Sequence, residues 1–357
     1  HPVLSIGTKQ AGSIVITATA AGQASARGID FGPNNGGTLN LGTAGSEITI
    51  QATVERNSGA RGIRFDGSSG ILNVEAKTLT VSAETTTVDD DLNTGVDAIR
   101  IGGGATAVFD ATVNAIANAN GFHSGATGIR IRPVNVTKEN TQVVAPSASV
   151  VEFKRDVTAS GSDKTGMGRG MALWNAEITD GSVSDGLAKA VFKGNLRATG
   201  EGRNATGVDV DNDAYRNGDA IGRGPTVGAG NGTTLVVEGN LSASAVADGG
   251  SAYGVHANQA DIQVGGLVID AQSKDEAGDA YGIYADNGSE LSVSGDLAIS
   301  VQSEHDAFGL YPFHASEYEI TGDVAVIESL GKTSALDLES NWGSQGTISS
   351  NGRISIT

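Results

Sequence analysis

The stretch "ELSVSGDLAISV", beginning at Glu290, alternates apolar and polar residues. Leu291 and Val293 share one face, and Leu297, Ile299 and Val301 share it again. Leu235, Val237 and Leu241 repeat the arrangement earlier in the chain. A period of two residues marks half-buried strands rather than helices. Between the paired runs stands a glycine-containing dipeptide: Gly194-Asn195, Gly239-Asn240, Gly265-Gly266, Gly295-Asp296 and Gly322-Asp323. Such residues tolerate positive φ, so a sharp corner is expected at each.

A second pattern sets the length of the unit. A small residue followed by an apolar one recurs at Gly28-Ile29, Gly62-Ile63, Ala98-Ile99, Gly128-Ile129, Gly170-Met171, Gly207-Val208, Gly254-Val255, Gly282-Ile283, Gly309-Leu310 and Ala335-Leu336. The last three intervals are 28, 27 and 26 residues, whereas the earlier ones run from 30 to 47. Each unit therefore reads as three short strands with two or three corners. One unit cannot bury its own apolar face, but equivalent strands stacked about 4.8 Å apart enclose a shared interior. The expected fold is all-β: a right-handed parallel β-helix (a solenoid) of about ten three-stranded coils. It forms a single domain over residues 1–357 and a rod of roughly 45–50 Å. A β-propeller needs blades of roughly 40–45 residues, longer than the late units.

Composition narrows the picture. The 357 residues include 52 glycines, 6 prolines and no cysteine. Aromatics make up 4% of the chain, so the core is expected to be built from Val, Ile, Leu and Ala. A formal net charge of −18 argues against a nucleic-acid partner, which needs clustered positive charge, and favours solubility. No apolar run approaches the roughly 20 residues of a membrane span. The opening "HPVLSIGTKQ" contains no signal peptide, so a mature chain or an excised fragment is expected.

The recurring "A-x-G-[IVL]" and "L-x-V-x-G-x-L-x-I" phrases resemble the passenger domains of bacterial autotransporters, from about Ser13 to Thr357. The resemblance implies an extracellular protein at the bacterial cell surface. It would be tethered to the outer membrane through a C-terminal translocator barrel that this chain lacks. It also implies a non-catalytic adhesin that binds a host glycan or matrix protein, or another copy of itself. Two other classes compete with it: a polysaccharide-acting β-helix enzyme (a lyase or hydrolase) and a structural spacer. No Gly-Asp-Ser-Gly nucleophile loop is present, and His1, His123, His256, His305 and His314 show no metal-binding spacing.

Three features are candidates for function. "DVDNDAYRNGD" places Asp209, Asp211, Asp213 and Asn217 at alternate oxygen-donor positions of a calcium loop. It lacks the turning glycine and the bidentate glutamate, so weak Ca²⁺ binding is expected and no cofactor is required. Connections after the first strand lengthen at about 132–149, 175–187 and 211–233. Three successive long loops should leave one corner side by side. Finally, two ladders flank the small-residue column. Arg61, Tyr253, Tyr281 and Phe308 precede it; Arg64, Arg100, Arg130, His256, Tyr284 and Tyr311 follow the apolar residue. Unpaired arginines cannot sit in an apolar interior, so a bend or bulge at the glycine should turn the first ladder outward.

Overall fold

The computed structural model describes residues 3–8, 11–21, 24–32, 36–55, 59–66, 69–86, 95–120, 125–132, 149–175, 188–212, 233–286, 288–312, 316–329, 332–336, 347–350 and 353–356. The described residues form strands, turns and bends, with no helix, and every strand pairing is parallel. No helix among them is long and apolar enough to cross a membrane.

The pairings fall into three rows. Row A starts at Val3–Ile6, continues through Thr38–Gly42 and the first part of Ile71–Thr85, and ends at Thr347–Ser350. Row B starts at Ser13–Ala20, continues through Glu47–Val54 and the second part of Ile71–Thr85, and ends at Ile354–Ile356. Row C starts at Ala26–Phe31 and Ala60–Phe65 and ends at Lys332–Leu336. The chain visits A, B and C in turn, and each strand pairs with its equivalents one unit before and one unit after.

Row C holds the small-residue column in the register expected from the sequence. Ile29, Ile63, Ile99, Ile129, Met171, Val208, Val255, Ile283, Leu310 and Leu336 are successive partners. In each unit the pairing skips the preceding Gly or Ala. In Ala252–Asn258, Ala252, Gly254 and Val255 are buried, while Tyr253 and His256 are half-buried on the outside. The strand therefore bends at the small residue without a shift of register, and the bend turns the first ladder out. Glycine is required there by close approach. A Cβ on Gly254 would overlap Ile269 and lie 2.7 Å from the Gly282 carbonyl. The facing row B column belongs to the next unit, with Ile50 against Gly28 and Val81 against Gly62, and Ala98 stands one unit before the small Ala115 of that column.

Two expectations need correction. The glycines of the dipeptides Gly194-Asn195, Gly239-Asn240, Gly265-Gly266, Gly295-Asp296 and Gly322-Asp323 do not adopt positive φ; among described residues that conformation occurs at Gly42 and Gly45, in the row A to row B corner of the second unit, and at Gly103, Gly104, Gly288, Ser69 and Gln259. The role of the dipeptide glycines is again close stacking, since a Cβ on Gly239 would sit 2.7 Å from the Gly194 carbonyl. The neighbouring Asn or Asp holds the corner. Asp156 Oδ1 accepts from Asn195 N at 2.8 Å, Asn195 Oδ1 from Asn240 N at 2.9 Å, and Asp296 Oδ1 from Asp323 N at 2.9 Å. The core also contains more than aliphatic residues. Phe109, Phe153 and Phe192 stack at 4.7 and 4.6 Å inside row A, and Phe31 stacks on Phe65 at 4.6 Å in row C. Parallel register places equivalent residues one strand spacing apart, which suits offset aromatic stacking.

Gly254→Ala is expected to destabilise the protein by about 1–3 kcal/mol, the usual cost of overpacking, in urea unfolding. Ile269→Ala in the same chain should recover part of the loss by clearing the overlapping side chain. Far-UV circular dichroism should show far less than the roughly 30–35% helix of ordinary domains.

Candidate functional site: the outer face of row C

The outer face of row C carries the two ladders named from the sequence, and the strand register aligns both. Arg27, Arg61, Asp97, Thr127, Arg169, Thr206, Tyr253, Tyr281 and Phe308 form the first. Asp30, Arg64, Arg100, Arg130, Ala172, Asp209, His256, Tyr284 and Tyr311 form the second.

The early units carry charge. Arg64 Nε donates to Asp66 Oδ2 at 2.7 Å, and Arg100 Nη2 lies 3.3 Å from the same oxygen. Asp97 is fully buried, with Arg130 Nε at 3.0 Å and Arg61 Nε at 3.6 Å. These are ion pairs without hydrogen-bond geometry. Burial lowers the Arg61 pKa, Asp97 opposes that shift, and the nearby Arg100, Arg64 and Arg27 add to it.

The middle units hold a buried hub. The Arg130 and Arg169 guanidiniums both lie over the Trp174 ring, 4.9 and 5.1 Å from its centroid. Asp209 Oδ2 accepts from Arg169 Nε at 2.9 Å and from Trp174 Nε1 at 3.1 Å, and Asp209 Oδ1 lies 2.8 Å from His256 Nδ1. Asn258 Nδ2 donates to Asp211 Oδ1 at 2.8 Å.

The late units are aromatic. Tyr253, Tyr281 and Phe308 stack at 4.9 and 5.1 Å with nearly parallel rings. Tyr284 stacks on Tyr311 at 5.4 Å, and His256 lies 5.6 Å from Tyr284. Edge contacts of 5.3 and 5.2 Å join the two ladders at Tyr281–Tyr284 and Phe308–Tyr311. Ring faces are therefore turned to one another along the stack. Tyr281 donates to Asp279 Oδ2 at 3.0 Å, and Asp279 Oδ1 lies 2.7 Å from His305 Nδ1.

Sequence reasoning missed a third outer ladder, two residues beyond the second: Asp66, Gly102, Arg132, Trp174, Asp211, Asn258 and Asp286. The signal was one further step of the same alternation. Asp209 and Asp211 do share the outer side, as expected, whereas Asp213 and Asn217 lie outside the described residues. The histidines show no metal spacing along the sequence, and the fold brings two of them beside carboxylates of other units. Across units, His256 joins Asp209 and Asp211, and His305 joins Asp279 and Asp306, each set with donor atoms within 4.8 Å of one another. Both Asp209 oxygens already accept or face protein nitrogens, so a cation there would compete with His256.

The long connections occupy 133–148, 176–187 and 213–232, outside the described residues. The strands they leave, Gly125–Ile131, Val157–Asn175 and Leu196–Asn212, are consecutive neighbours in row C. The strands they enter, Val150–Phe153, Lys189–Phe192 and Thr233–Ala247, are consecutive neighbours in row A. All three thus span the same corner. No family model, curated protein or solved structure matches this chain.

Removing the Asp209 carboxylate leaves Arg169 without that counter-ion in a buried place. Asp209→Ala is expected to cost about 3–5 kcal/mol in denaturant unfolding, with most of it recovered in Asp209→Leu/Arg169→Met. Burial is also the main cause that raises the Tyr253, Tyr281, Tyr284 and Tyr318 phenol pKa values. An acid whose folded pKa is raised gives stability that is complete below its unfolded value, about 10, and is lost as pH rises through the folded value. Absorbance at alkaline pH should therefore show these phenols ionising late, together with unfolding.

Proposed function

We propose that the chain is a right-handed parallel β-helix, similar to an autotransporter passenger domain, that displays row C as a non-catalytic binding face at a bacterial cell surface. Three parallel rows visited in turn support the solenoid reading. The observation that carries the binding reading is the aromatic patch. Tyr253, His256, Tyr281, Tyr284, Phe308 and Tyr311 are half-buried, outside the core and in register across three units. Rigid amphipathic rings give large contact area at low entropic cost, which is why such residues concentrate in binding centres. Because the ring faces are occupied by one another, the patch offers ring edges. This suits a protein surface, host matrix or a second copy, better than stacking of sugar rings.

The second reading is a spacer. It is favoured by the same stacking, which stabilises the units whether or not anything binds. One variant separates the two. Tyr281→Ala/Tyr284→Ala/Tyr311→Ala should keep the β-type circular dichroism and lose cell aggregation or matrix adhesion when displayed on bacteria. Unchanged adhesion in a folded triple variant would overturn the binding reading of this patch.

A further inference from the structure

Most of the chain's charge lies on the late units. Residues 233–329 hold 16 of the 41 acids and one of the 23 lysines and arginines, Lys274, so they carry −15 (1 − 16) of the net −18. Lys274 is itself paired, 2.9 Å from Asp248. The six rings of the aromatic patch stand in this segment, and carboxylates border them at both edges of row C. Where row B hands over to row C, Asp279 and Asp306 precede the paired residues Ala280 and Ala307, and their side chains are 26 and 27% exposed. Where row C hands over to row A, Asp286 ends one strand, and Glu290 and Glu317 are direct partners at the start of two others. Glu290, Glu304 and Glu317 are exposed and make no ion pair among the described residues. The border acts on the rings. Tyr281 donates to Asp279 Oδ2 at 3.0 Å, and after burial it is Asp279 that adds to the upward shift of the Tyr281 phenol pKa, and Asp286 to that of Tyr284.

Two independent features thus coincide: rings of the kind that anchor protein interfaces, and a rim of a single sign of charge. Charge complementarity then selects the partner. Nucleic acid and acidic polysaccharides are repelled. A second copy that meets this face with its own brings −15 against −15. A neutral protein surface desolvates the rim carboxylates and returns no counter-charge. A basic surface gives them charge-assisted hydrogen bonds, and it relieves the like charges that stand directly opposite at Glu290 and Glu317. We propose that the late half of this face docks a basic protein segment, with lysine or arginine side chains against Asp279, Asp306, Glu290 and Glu317 and apolar side chains against the rings. The proposal rests on the binding reading of the aromatic patch and deepens it by naming the partner's chemistry.

The test is fluorescence anisotropy of a labelled octapeptide alternating arginine and leucine, titrated with the full 357-residue chain. The salt is about 0.1 M, where the screening length of about 10 Å mutes distant charges. Binding that strengthens as salt is lowered is expected, with none to the octapeptide that alternates glutamate and leucine. Glu290→Gln/Asp306→Asn takes one acid from each edge and should weaken binding about tenfold or more, on the scale of one charge-assisted hydrogen bond. Glu84→Gln/Glu201→Gln makes the same change of net charge on exposed positions of row B and should shift it less than twofold. Should the first pair fail to fold, Glu290→Gln/Glu304→Gln alters two exposed acids without ion pairs and should still weaken binding several-fold. The proposal is overturned if the unaltered chain does not bind the basic peptide, if the row B pair weakens binding as much as the border pair, or if the folded border variants bind as the unaltered chain does. Dimerisation of the chain in sedimentation at low salt, abolished by Tyr281→Ala/Tyr284→Ala/Tyr311→Ala, would assign the face to a second copy and overturn it as well. Adhesion retained by that triple variant counts against the binding reading of the patch. Adhesion lost in the triple variant but unchanged in the border variants leaves that reading standing and counts against the basic partner alone.

Discussion

Parallel pairing in register sets each residue beside its own equivalent one strand spacing away, and this constraint governs the rest of the structure. Residues that tolerate a copy of themselves at that distance can form ladders. Aliphatic side chains do so inside, as do phenylalanines, by offset stacking. Glycines do so where carbonyls of adjacent units leave no room for a Cβ. Asparagine and aspartate do so at the corner, because each side-chain oxygen accepts from the next unit's backbone N–H.

Charge is what the constraint penalises. A column of arginines in three successive strands repels itself, so it needs acids from the neighbouring ladders. Asp66 and Asp97 serve this purpose, each lying between two arginines. The hub at Asp209 is the changeover point. On one side its carboxylate meets Arg169 and Trp174, and on the other it meets His256, where the aromatic ladders begin. One face thus runs from cationic to aromatic without a break in register.

Much of this was legible in the sequence, because a residue at a given offset from the small residue in one unit lies beside the residue at the same offset in the next. That rule aligned Arg64 with Arg100 and Tyr281 with Phe308 across intervals of unequal length. What was not legible depends on pairing between different ladders. Arg169 and Asp209 are 40 residues apart and belong to different columns, and nothing local in the sequence marks the pair. Trp174 went unnoticed because the alternation was followed for two outer positions and not three. The corner glycines were assigned to positive φ because glycine permits it, when crowding by the neighbouring unit was the operative reason. The internal phenylalanine stacks were overlooked because a low aromatic fraction says nothing about where the few rings cluster.

If register alone holds the units together, a whole unit is removable. Deleting residues 254–281 takes out 28 residues and joins Tyr253 to Gly282, restoring an uninterrupted "SAYGIY". Amide hydrogen exchange on this shortened chain is the most direct measurement. The account expects cooperative protection in all three rows on both sides of the junction, with the chain still β-structured. Loss of protection throughout the molecule, or only on one side of the splice, would contradict it.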